Sequence, residues 1–327
     1  MMFPRAKAGY PKSSTVFKKL MNEGPFPVVG VFGATAQQAQ IAQSAGFGFF
    51  GISGAHTSTT FLGLPDAGLI TLSEIVENTR RVCEAVTIPV HVDCDTGFGN
   101  AINVCRTVDS MIRAGAASIF MEDQVAPKRC GYVKGKELIS IEEAVGKYKA
   151  ALDVRNNLDP DFMIFARTDA RGAVGGGIDE VIRRGKAYFE AGVDVLYVEA
   201  LKSREEIRVV KSAFPDKMLK VTFSSKDEPP LTLKEYGDLG ICTISLHISV
   251  VGAIAVHDFL HRYAKEGDQV AIEFAEKTRN HPIGEFRFFD LAGFPDVHEL
   301  EERYLPAEAL ARYDSSIGEY DPRRSAR

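Results

Sequence analysis

The 327-residue chain lacks several features that would assign it to a specialised class of protein. It has no tryptophan and no run of eighteen apolar residues, so we expect no membrane-spanning helix. It has no long block of charge of one sign, and its net charge of −5 disfavours nucleic acid and anionic membranes as partners. The first residues contain no apolar segment typical of a signal peptide, so we expect none.

Cysteine is scarce and shows no pattern of pairing. The five cysteines are Cys83, Cys94, Cys105, Cys130 and Cys242. The number is odd, and neither a CxxC pair nor zinc-ligand spacing occurs. We therefore predict free thiols in a reducing compartment, most of them buried as small apolar side chains. These features together predict a cytoplasmic globular protein of ordinary composition.

Eight short apolar runs, rich in β-branched and aromatic residues, recur along the chain. Near-continuous apolar runs of this length are typical of strands that are buried on both faces. The predicted strands cover residues 26–33, 47–54, 88–95, 117–123, 162–169, 193–200, 217–223 and 242–248.

Helical patterns lie between these strands. One of them opens with Thr71 and Glu74, which have the spacing of an N-terminal capping box. The predicted helices cover residues 35–46, 71–86, 101–116, 140–157, 178–192, 203–214 and 232–240.

The alternation of strands and helices predicts an α/β fold, a parallel (β/α)8 barrel of the TIM type. The alternative is an open doubly wound sheet, but no GxGxxG motif follows the first strand. We expect the catalytic barrel to cover residues 1–257. Residues 258–327 mix polar helical patterns with aromatics, which predicts a C-terminal helical extension for oligomer contacts, ending in a disordered tail.

Charged side chains cluster at the ends of the third to sixth predicted strands. In a (β/α)8 barrel the carboxyl ends of the strands form the active-site rim. The charged residues at this rim are Asp93, Asp95, Glu122, Asp123, Arg167, Asp169 and Glu199. The barrel prediction therefore brings several carboxylates and an arginine to one place.

Three of these carboxylates suggest a metal site. Asp93 and Asp95 are two positions apart, so on a strand their side chains point to the same face. With Glu122 from the next strand they would form an all-oxygen site for a hard divalent ion, for which Mg²⁺ fits best and Mn²⁺ is possible. The alternative is that the two aspartates only cap a turn and the helix after it.

Cys130 lies between Arg129 and Gly131 in a long polar loop after the fourth strand. A neighbouring cation lowers the pKa of a thiol, and a loop at the rim can close over the site and exclude water. Cys130 is therefore a candidate general acid–base group or nucleophile, and spacing alone leaves open the alternative of an incidental exposed cysteine. The glycines of residues 95–100 allow close approach of a ligand, whereas those of 171–180 are typical of a flexible connector.

Four segments together resemble motifs of the isocitrate lyase/phosphoenolpyruvate mutase superfamily. They are SGAHTSTTFLGLPD at 53–66, VDCDTGFG at 92–99, MEDQVAPKRCG at 121–131 and ARTDA at 166–170. The resemblance extends from about residue 25 to residue 273. The most similar branch contains 2-methylisocitrate lyase and its relatives, including dimethylmalate lyase, oxaloacetate hydrolase and petal death protein.

The resemblance implies three groups of functional residues. Mg²⁺ is bound, partly through water, by Asp93, Asp95 and Glu122, with Asp66 nearby. The substrate is bound by Ser53, Gly54, Ala55, Arg167, Thr222 and Ser224. Catalysis uses Cys130, carried on a mobile gating loop, together with Arg167 and Glu199. The resemblance also implies a homotetramer, in which the eighth helix of the barrel is exchanged between subunits.

Several positions depart from the family pattern. Tyr132 stands where methylisocitrate lyases have histidine, Gly51 aligns with a family tyrosine, and Thr222 aligns with a family asparagine. The arginine expected after the eighth strand aligns near Gly252. Because buried carboxylates without partners cost free energy, these departures favour a smaller or less charged substrate than isocitrate or methylisocitrate. His56 is a candidate for a new substrate contact, although a single loop histidine is more often structural.

The resulting hypothesis is a Mg²⁺-dependent carbon–carbon lyase that acts on a 2-hydroxy dicarboxylic acid and releases a 2-oxo acid. In it, Cys130 donates a proton to the leaving fragment while the metal and Arg167 stabilise the developing oxyanion. The alternatives are oxaloacetate hydrolysis, phosphonopyruvate mutase-like chemistry, or a barrel that binds a small acid without catalysis.

Overall fold

The computed structural model describes residues 9–223 and 230–324. The chain divides into two compact units, one that ends at Ser249 and another that begins at Val250. The boundary expected after residue 257 falls inside the helix that spans Ser249–Glu266.

Eight parallel strands form a closed barrel, in which the last strand pairs with the first. The strands are β1 (Val28–Gly33), β2 (Phe50–Ile52), β3 (Val90–Asp93), β4 (Ser118–Glu122), β5 (Met163–Thr168), β6 (Val195–Val198), β7 (Met218–Thr222) and β8 (Thr243–His247). Each lies within one of the eight predicted strands, so the (β/α)8 prediction is confirmed.

The helices of the first unit surround this barrel, and each predicted helix is present. They are α1 (Ser13–Glu23), α2 (Ala36–Ser44), α3 (Gly54–Thr57), α4 (Leu72–Ala85), α5 (Ala101–Arg113), α6 (Ile141–Leu158), α7 (Ile178–Ala191), α8 (Arg204–Ala213) and α9 (Leu233–Asp238). The capping box predicted at the start of α4 is confirmed, because the Thr71 hydroxyl accepts from the Glu74 backbone N–H and the Glu74 carboxylate accepts from that of Thr71.

Helix α1 was missed from the sequence, and it contributes to the interior of the barrel. Its buried Phe17 ring packs edge-on to Phe49 with centroids 5.1 Å apart, and stacks on His91 at 5.6 Å. Phe17 and Met21, four positions apart on one helix face, are fully buried. This apolar pair was the signal available in the sequence.

The strand register brings the predicted site residues to one end of the barrel. Glu122 on β4 lies opposite Arg167 on β5, and Asp93 on β3 lies opposite Phe120 on β4. All of these positions lie at or near the carboxyl ends of their strands, where active sites of such barrels occur.

The second unit is helical over most of its described residues. Its helices are α10 (Ser249–Glu266), α11 (Gln269–Thr278), α12 (Arg287–Ala292), α13 (Phe294–Tyr304), α14 (Ala307–Leu310) and α15 (Arg312–Ser315). A short 3₁₀ turn, Pro322–Arg324, follows them. Within the described ranges of either unit, no helix is both long enough and apolar enough to cross a membrane.

Candidate active site

A small cavity of about 60 Å³ lies at the carboxyl ends of the strands. Its lining combines apolar rings with polar and charged groups, namely Phe32, Ser53, Ala55, Asp66, Asp93, Phe120, Cys130, Gly131, Tyr132, Arg167, Tyr197, Glu199, Thr222 and His247. Eight of the residues predicted for the site are in this lining: Ser53, Ala55, Asp66, Asp93, Cys130, Arg167, Glu199 and Thr222.

The remaining predicted residues lie behind the lining, with one exception. The backbone N–H of Gly54 donates to Asp93 Oδ2 at 3.0 Å, the backbone N–H of Asp95 donates to Asp93 Oδ1 at 3.1 Å, and Glu122 lies 3.0 Å from Arg167. The exception is Ser224, which falls outside the described residues.

Asp93 and Asp95 do lie side by side, although Asp95 follows the end of β3. Asp95 has a positive φ of 45°, which turns the backbone back toward Asp93. Gly54 has to be a glycine here, because a Cβ at this position would lie 2.8 Å from Asp95 Oδ1. At Gly54 the loop after β2 therefore contacts Asp93 through its backbone.

Lys128 was not singled out in the sequence, yet its ammonium lies among these carboxylates. Its Nζ is 2.5 Å from Asp66 Oδ1 and 3.2 Å from Asp95 Oδ1, and the side chain is 2% exposed. Burial by itself lowers the pKa of Lys128, but Glu122, Asp95 and Asp93 outweigh it and raise that pKa. Lys128 therefore remains charged and supplies part of the positive charge that these carboxylates require.

Several carboxylate oxygens still have no hydrogen-bond donor. Asp95 Oδ1 and both carboxylate oxygens of Glu122 are buried without one, although cations lie near them. Burial raises the pKa of Asp95 to about 7, with Lys128 acting in the opposite direction, and burial also raises the pKa of Glu122. A divalent cation would favour the ionised form of both groups.

These orphaned oxygens fit the predicted Mg²⁺ site. Within residues 9–223 and 230–324, no three His, Cys, Asp or Glu side chains converge tightly on one point. Mg²⁺ does not require such convergence, because it usually keeps several waters and is bound through one or two carboxylates. Asp93, Asp95 and Glu122, with Asp66 nearby, are the residues that would hold it.

Arg167 is held rigidly at the cavity wall. Its Nε and Nη2 donate to the two carboxylate oxygens of Asp169 at 3.0 and 3.1 Å, and its guanidinium also contacts Glu122 and Glu199. A guanidinium bound in this bidentate way has a fixed plane and orientation. Arg167, which lines the cavity, therefore presents its guanidinium there in a defined orientation.

A second layer of buried polar groups fixes Asp169 in turn. Asp123 Oδ1 accepts from the Asp169 backbone N–H at 3.1 Å. Asp123 Oδ2 accepts from Thr168 and Tyr188, both at 2.7 Å, and from Arg184 at 3.2 Å. Asp123, which the sequence placed at the rim, thus supports the site from behind and does not line the cavity.

The loop between β4 and α6 covers the cavity. Its two ends are joined where Gln124 pairs with Leu138, and its middle is anchored where the Cys130 backbone N–H donates to the Asp66 carbonyl at 3.1 Å. Gly131 follows directly, and a Cβ there would lie 2.6 Å from Glu199 Cγ and 2.8 Å from Arg167 Nη2. The loop, residues 124–138, is therefore seated tightly on the two catalytic candidates beneath it.

Burial affects the pKa of Cys130 more than the neighbouring cations do. Burial raises the pKa of this thiol, the nearby Asp66 carboxylate raises it further, and the opposing effects of Arg167 and Lys128 do not compensate. Arg129, the sequence neighbour on which the expectation relied, has its backbone held by the Gln124 side chain. Cys130 is therefore a protonated thiol at neutral pH, which suits a proton donor better than a nucleophile.

Comparison with known proteins identifies the family of this site. Residues 17–265 match the sequence model of the family described as phosphoenolpyruvate phosphomutase. The chain belongs to the phosphoenolpyruvate mutase/isocitrate lyase superfamily. It is similar to 2,3-dimethylmalate lyase of Eubacterium barkeri, with 39% identity over 276 residues that cover 82% of this chain and 90% of the relative.

Other relatives extend the same conclusion. 2-Methylisocitrate lyase of Escherichia coli is 36% identical over 264 residues, covering 80% of this chain and 87% of that enzyme. A crystal structure of 2,3-dimethylmalate lyase superimposes with a TM-score of 0.82 at 25% identity, covering 94% and 99% of the two chains. Oxaloacetate acetylhydrolase in complex with 3,3-difluorooxalacetate gives 0.80 at 27% identity, covering 90% and 98%. This superfamily member is therefore an enzyme whose relatives include several lyases.

The structure explains one departure from the superfamily pattern. Gly51, which aligns with a family tyrosine, faces the ring of Phe32, and a Cβ at position 51 would lie 2.4 Å from that ring. Phe32 thus fills the volume next to β2 and lines the cavity.

Two other departures meet in space. Tyr132 on the covering loop and Thr222 at the end of β7 both line the cavity, and the Thr222 hydroxyl lies 2.7 Å from the Tyr197 hydroxyl. The two substituted side chains therefore border the same cavity, although Tyr132 stays largely exposed. Gly252, where the family arginine aligns, lies in α10 of the second unit.

The structure favours a histidine other than His56 as a substrate contact. His56 lies in α3, behind the lining, with its ring edge-on to His247 at 5.0 Å between centroids. His247, at the end of β8, lines the cavity and was not singled out in the sequence. Of the two, His247 is the residue placed to meet a ligand.

The seating of Gly131 provides a test of loop closure. We expect Gly131→Ala to weaken closure by about ten-fold or more, because an added Cβ must displace buried Glu199 or Arg167 and overpacking costs about 1–3 kcal/mol. Cys130 should then react correspondingly faster with a thiol reagent, measured residue by residue by mass spectrometry.

Gly146→Ala is the matched control, because a Cβ at this helical position meets nothing within 4 Å. Reactivity of Cys105 on α5 serves as the internal reference. Equal labelling of Cys130 in wild type and Gly131→Ala would contradict the close packing of the loop on Glu199 and Arg167.

Proposed function

We propose that the protein is a Mg²⁺-dependent carbon–carbon lyase that cleaves a 2-hydroxy dicarboxylic acid of the methylisocitrate or dimethylmalate type and releases a 2-oxo acid. The observation that carries this proposal is the composition of the cavity. A protonated thiol on a covering loop, Cys130, lines the same small space as Arg167, Glu199 and carboxylates with orphaned oxygens.

The side chains suggest how the bond is cleaved. The bond between the carbon bearing the hydroxyl and its neighbour breaks, the hydroxyl loses its proton to become the 2-oxo group, and the electron pair remains on the other fragment. Glu199, which lines the cavity and lies 3.9 Å from Arg167, is the carboxylate we assign to accept the hydroxyl proton. Arg167 stabilises the resulting oxyanion.

Cys130 completes the reaction by protonating the carbanion-like fragment. Its thiol keeps its proton at neutral pH because burial and Asp66 raise its pKa, and the closed loop excludes water as a competing proton source. Mg²⁺ bound at Asp93, Asp95 and Glu122 would act as a Lewis acid toward the substrate oxygens. We assign the substrate carboxylate to the segment of Ser53, Gly54 and Ala55, because Ser53 and Ala55 line the cavity.

The small cavity supports a small substrate. Its volume of about 60 Å³ is far below that of pockets for larger ligands, and Gly51 and Thr222 stand where the family has tyrosine and asparagine. Dimethylmalate-like diacids therefore fit the proposal better than tricarboxylates. The same observation favours oxaloacetate hydrolysis as the second candidate.

The quaternary structure remains part of the proposal. Helix α10 has no buried residue and exposes Val250, Val251, Ile254, Val256 and Leu260. These exposed apolar side chains support the proposal that α10 is exchanged between the subunits of a homotetramer. Light scattering should then give four times the mass of 35.8 kDa, and a monomer of unchanged activity would contradict the exchange.

A substrate screen tests the proposed reaction. We expect wild-type protein with Mg²⁺ to release a 2-oxo acid from a 2-hydroxy diacid, detected by mass spectrometry, and to lose this activity in EDTA. Cys130→Ser should lower turnover by roughly 10²-fold or more, because it replaces the proton donor.

Cys105→Ser, on the surface-facing helix α5, is the matched control and should retain activity. Oxalate and acetate formed from oxaloacetate would establish the second candidate. Full turnover by Cys130→Ser would exclude the assigned role of the thiol. Absence of turnover on the whole panel, with Mg²⁺-dependent ligand binding intact, would favour an acid-binding barrel.

A further inference from the structure

Carboxylates outnumber cations around the cavity. Two cations, Arg167 and Lys128, lie among six carboxylates, which are Asp66, Asp93, Asp95, Glu122, Asp169 and Glu199. Both cations are engaged, since Arg167 contacts three of these carboxylates and Lys128 contacts two. An anionic substrate therefore needs positive charge that these groups have not already neutralised.

Lys220 on β7 is a third cation, and it differs from the other two. Its side chain is 0% exposed. Within the part of the chain that the structure describes, its Nζ has neither a hydrogen-bond partner nor a salt bridge. Thr222, two positions further along the same strand, lines the cavity, so Lys220 points to the same interior face one layer deeper.

Aromatic rings surround the Lys220 ammonium. Its Nζ lies 3.7 Å from the ring centroid of Tyr197 and 4.5 Å from the centroids of Phe32 and Phe120. The same three rings line the cavity. Lys220 is thus separated from the cavity by a single layer of aromatic side chains.

This arrangement is unfavourable for folding on its own. Burial lowers the pKa of Lys220 to about 7, although Glu199 and Asp93 act in the opposite direction. A group that binds its proton less tightly when folded reduces stability at low pH, and stability recovers as pH rises from about 7 toward the ordinary lysine value of 10.5. Cation–π contacts offset only part of the desolvation.

An anion in the cavity would supply the missing counter-charge. The π face of an aromatic ring carries partial negative charge and repels an anion, and a cation on the far side of the ring offsets that repulsion. In a water-excluded site one such charge has a large effect on the binding of an oppositely charged ligand.

We propose that Lys220 is a positioning residue for the anionic substrate, supplying unmatched positive charge beneath the aromatic floor formed by Phe32, Phe120 and Tyr197. The inference rests on the proposed function, because it assumes a carboxylate ligand in this cavity. It assigns Lys220 the task of attracting that carboxylate and holding Tyr197, whose hydroxyl contacts Thr222, while Arg167 and Cys130 perform the chemistry.

The test uses oxalate, a small dianion that resembles a planar 2-oxo acid enolate, in the presence of Mg²⁺. Isothermal titration calorimetry should show roughly ten-fold or more weaker oxalate binding to Lys220→Met than to wild type. At pH 6.5 the melting temperature of Lys220→Met should be about 2–4 °C higher than that of wild type. The substitution removes an unpartnered buried ammonium without loss of volume.

Lys220→Gln is a second neutral variant, in case the first does not fold, and should show the same weakened binding. Arg155→Met is the matched control for loss of a buried cation. Arg155 contacts Asp194 and the Phe162 carbonyl near the start of β5, at the opposite end of the barrel. The Arg155→Met variant should be less stable than wild type and should bind oxalate with wild-type affinity.

The outcomes separate this inference from the proposed function. Unchanged oxalate affinity in both Lys220 variants would overturn the inference while leaving the lyase intact. Weaker binding accompanied by a lower melting temperature would also overturn it, since Lys220 would then be a structural residue. If wild type bound no oxalate, the proposed function and the inference would both fail, because the inference assumes a carboxylate ligand in this cavity.

Discussion

The burial of like charges at one end of the barrel is the constraint on which the rest of the site depends. Six carboxylates meet two engaged cations, and three carboxylate oxygens on Asp95 and Glu122 have no hydrogen-bond donor. Such a cluster is stable only when protons or additional cations compensate it. The structure meets this requirement with Lys128 and raised carboxyl pKa values, and a divalent ion would meet it more completely.

The covering loop depends on the same charges. Lys128 connects the loop to Asp66 and Asp95, and Gly131 lets the backbone approach Glu199 and Arg167 at a distance that no Cβ would tolerate. Cys130 lies between these two anchors, so its position over the cavity follows from theirs. In the position that the loop occupies here the thiol is partly buried, and this burial raises its pKa.

Much of this architecture could be predicted from the sequence because it follows from local patterns. Apolar runs defined the eight strands, and Thr71 with Glu74 defined the start of a helix. Strand ends then placed Asp93, Glu122, Arg167 and Glu199 at one rim, since the fold itself brings those ends together.

The features that were missed depend on long-range contacts. Lys128 reaches Asp66, 62 positions away in the chain, and the raised pKa of Cys130 arises from burial under a closed loop. Lys220 occurs inside a predicted strand, where its two-residue spacing from Thr222 indicated an inward direction. Its lack of a partner became apparent only with the surrounding strands in place.

The central claim is that the carboxylate cluster binds a divalent cation, and calorimetric titration of Mg²⁺ or Mn²⁺ into the metal-free protein tests it most directly. Wild type should bind the ion, and Asp95→Asn and Glu122→Gln should each weaken binding by about ten-fold or more. Asp109→Asn, which alters an exposed carboxylate paired with Arg113, should leave the affinity unchanged. No binding to wild type, or equal affinity in all four proteins, would contradict the account.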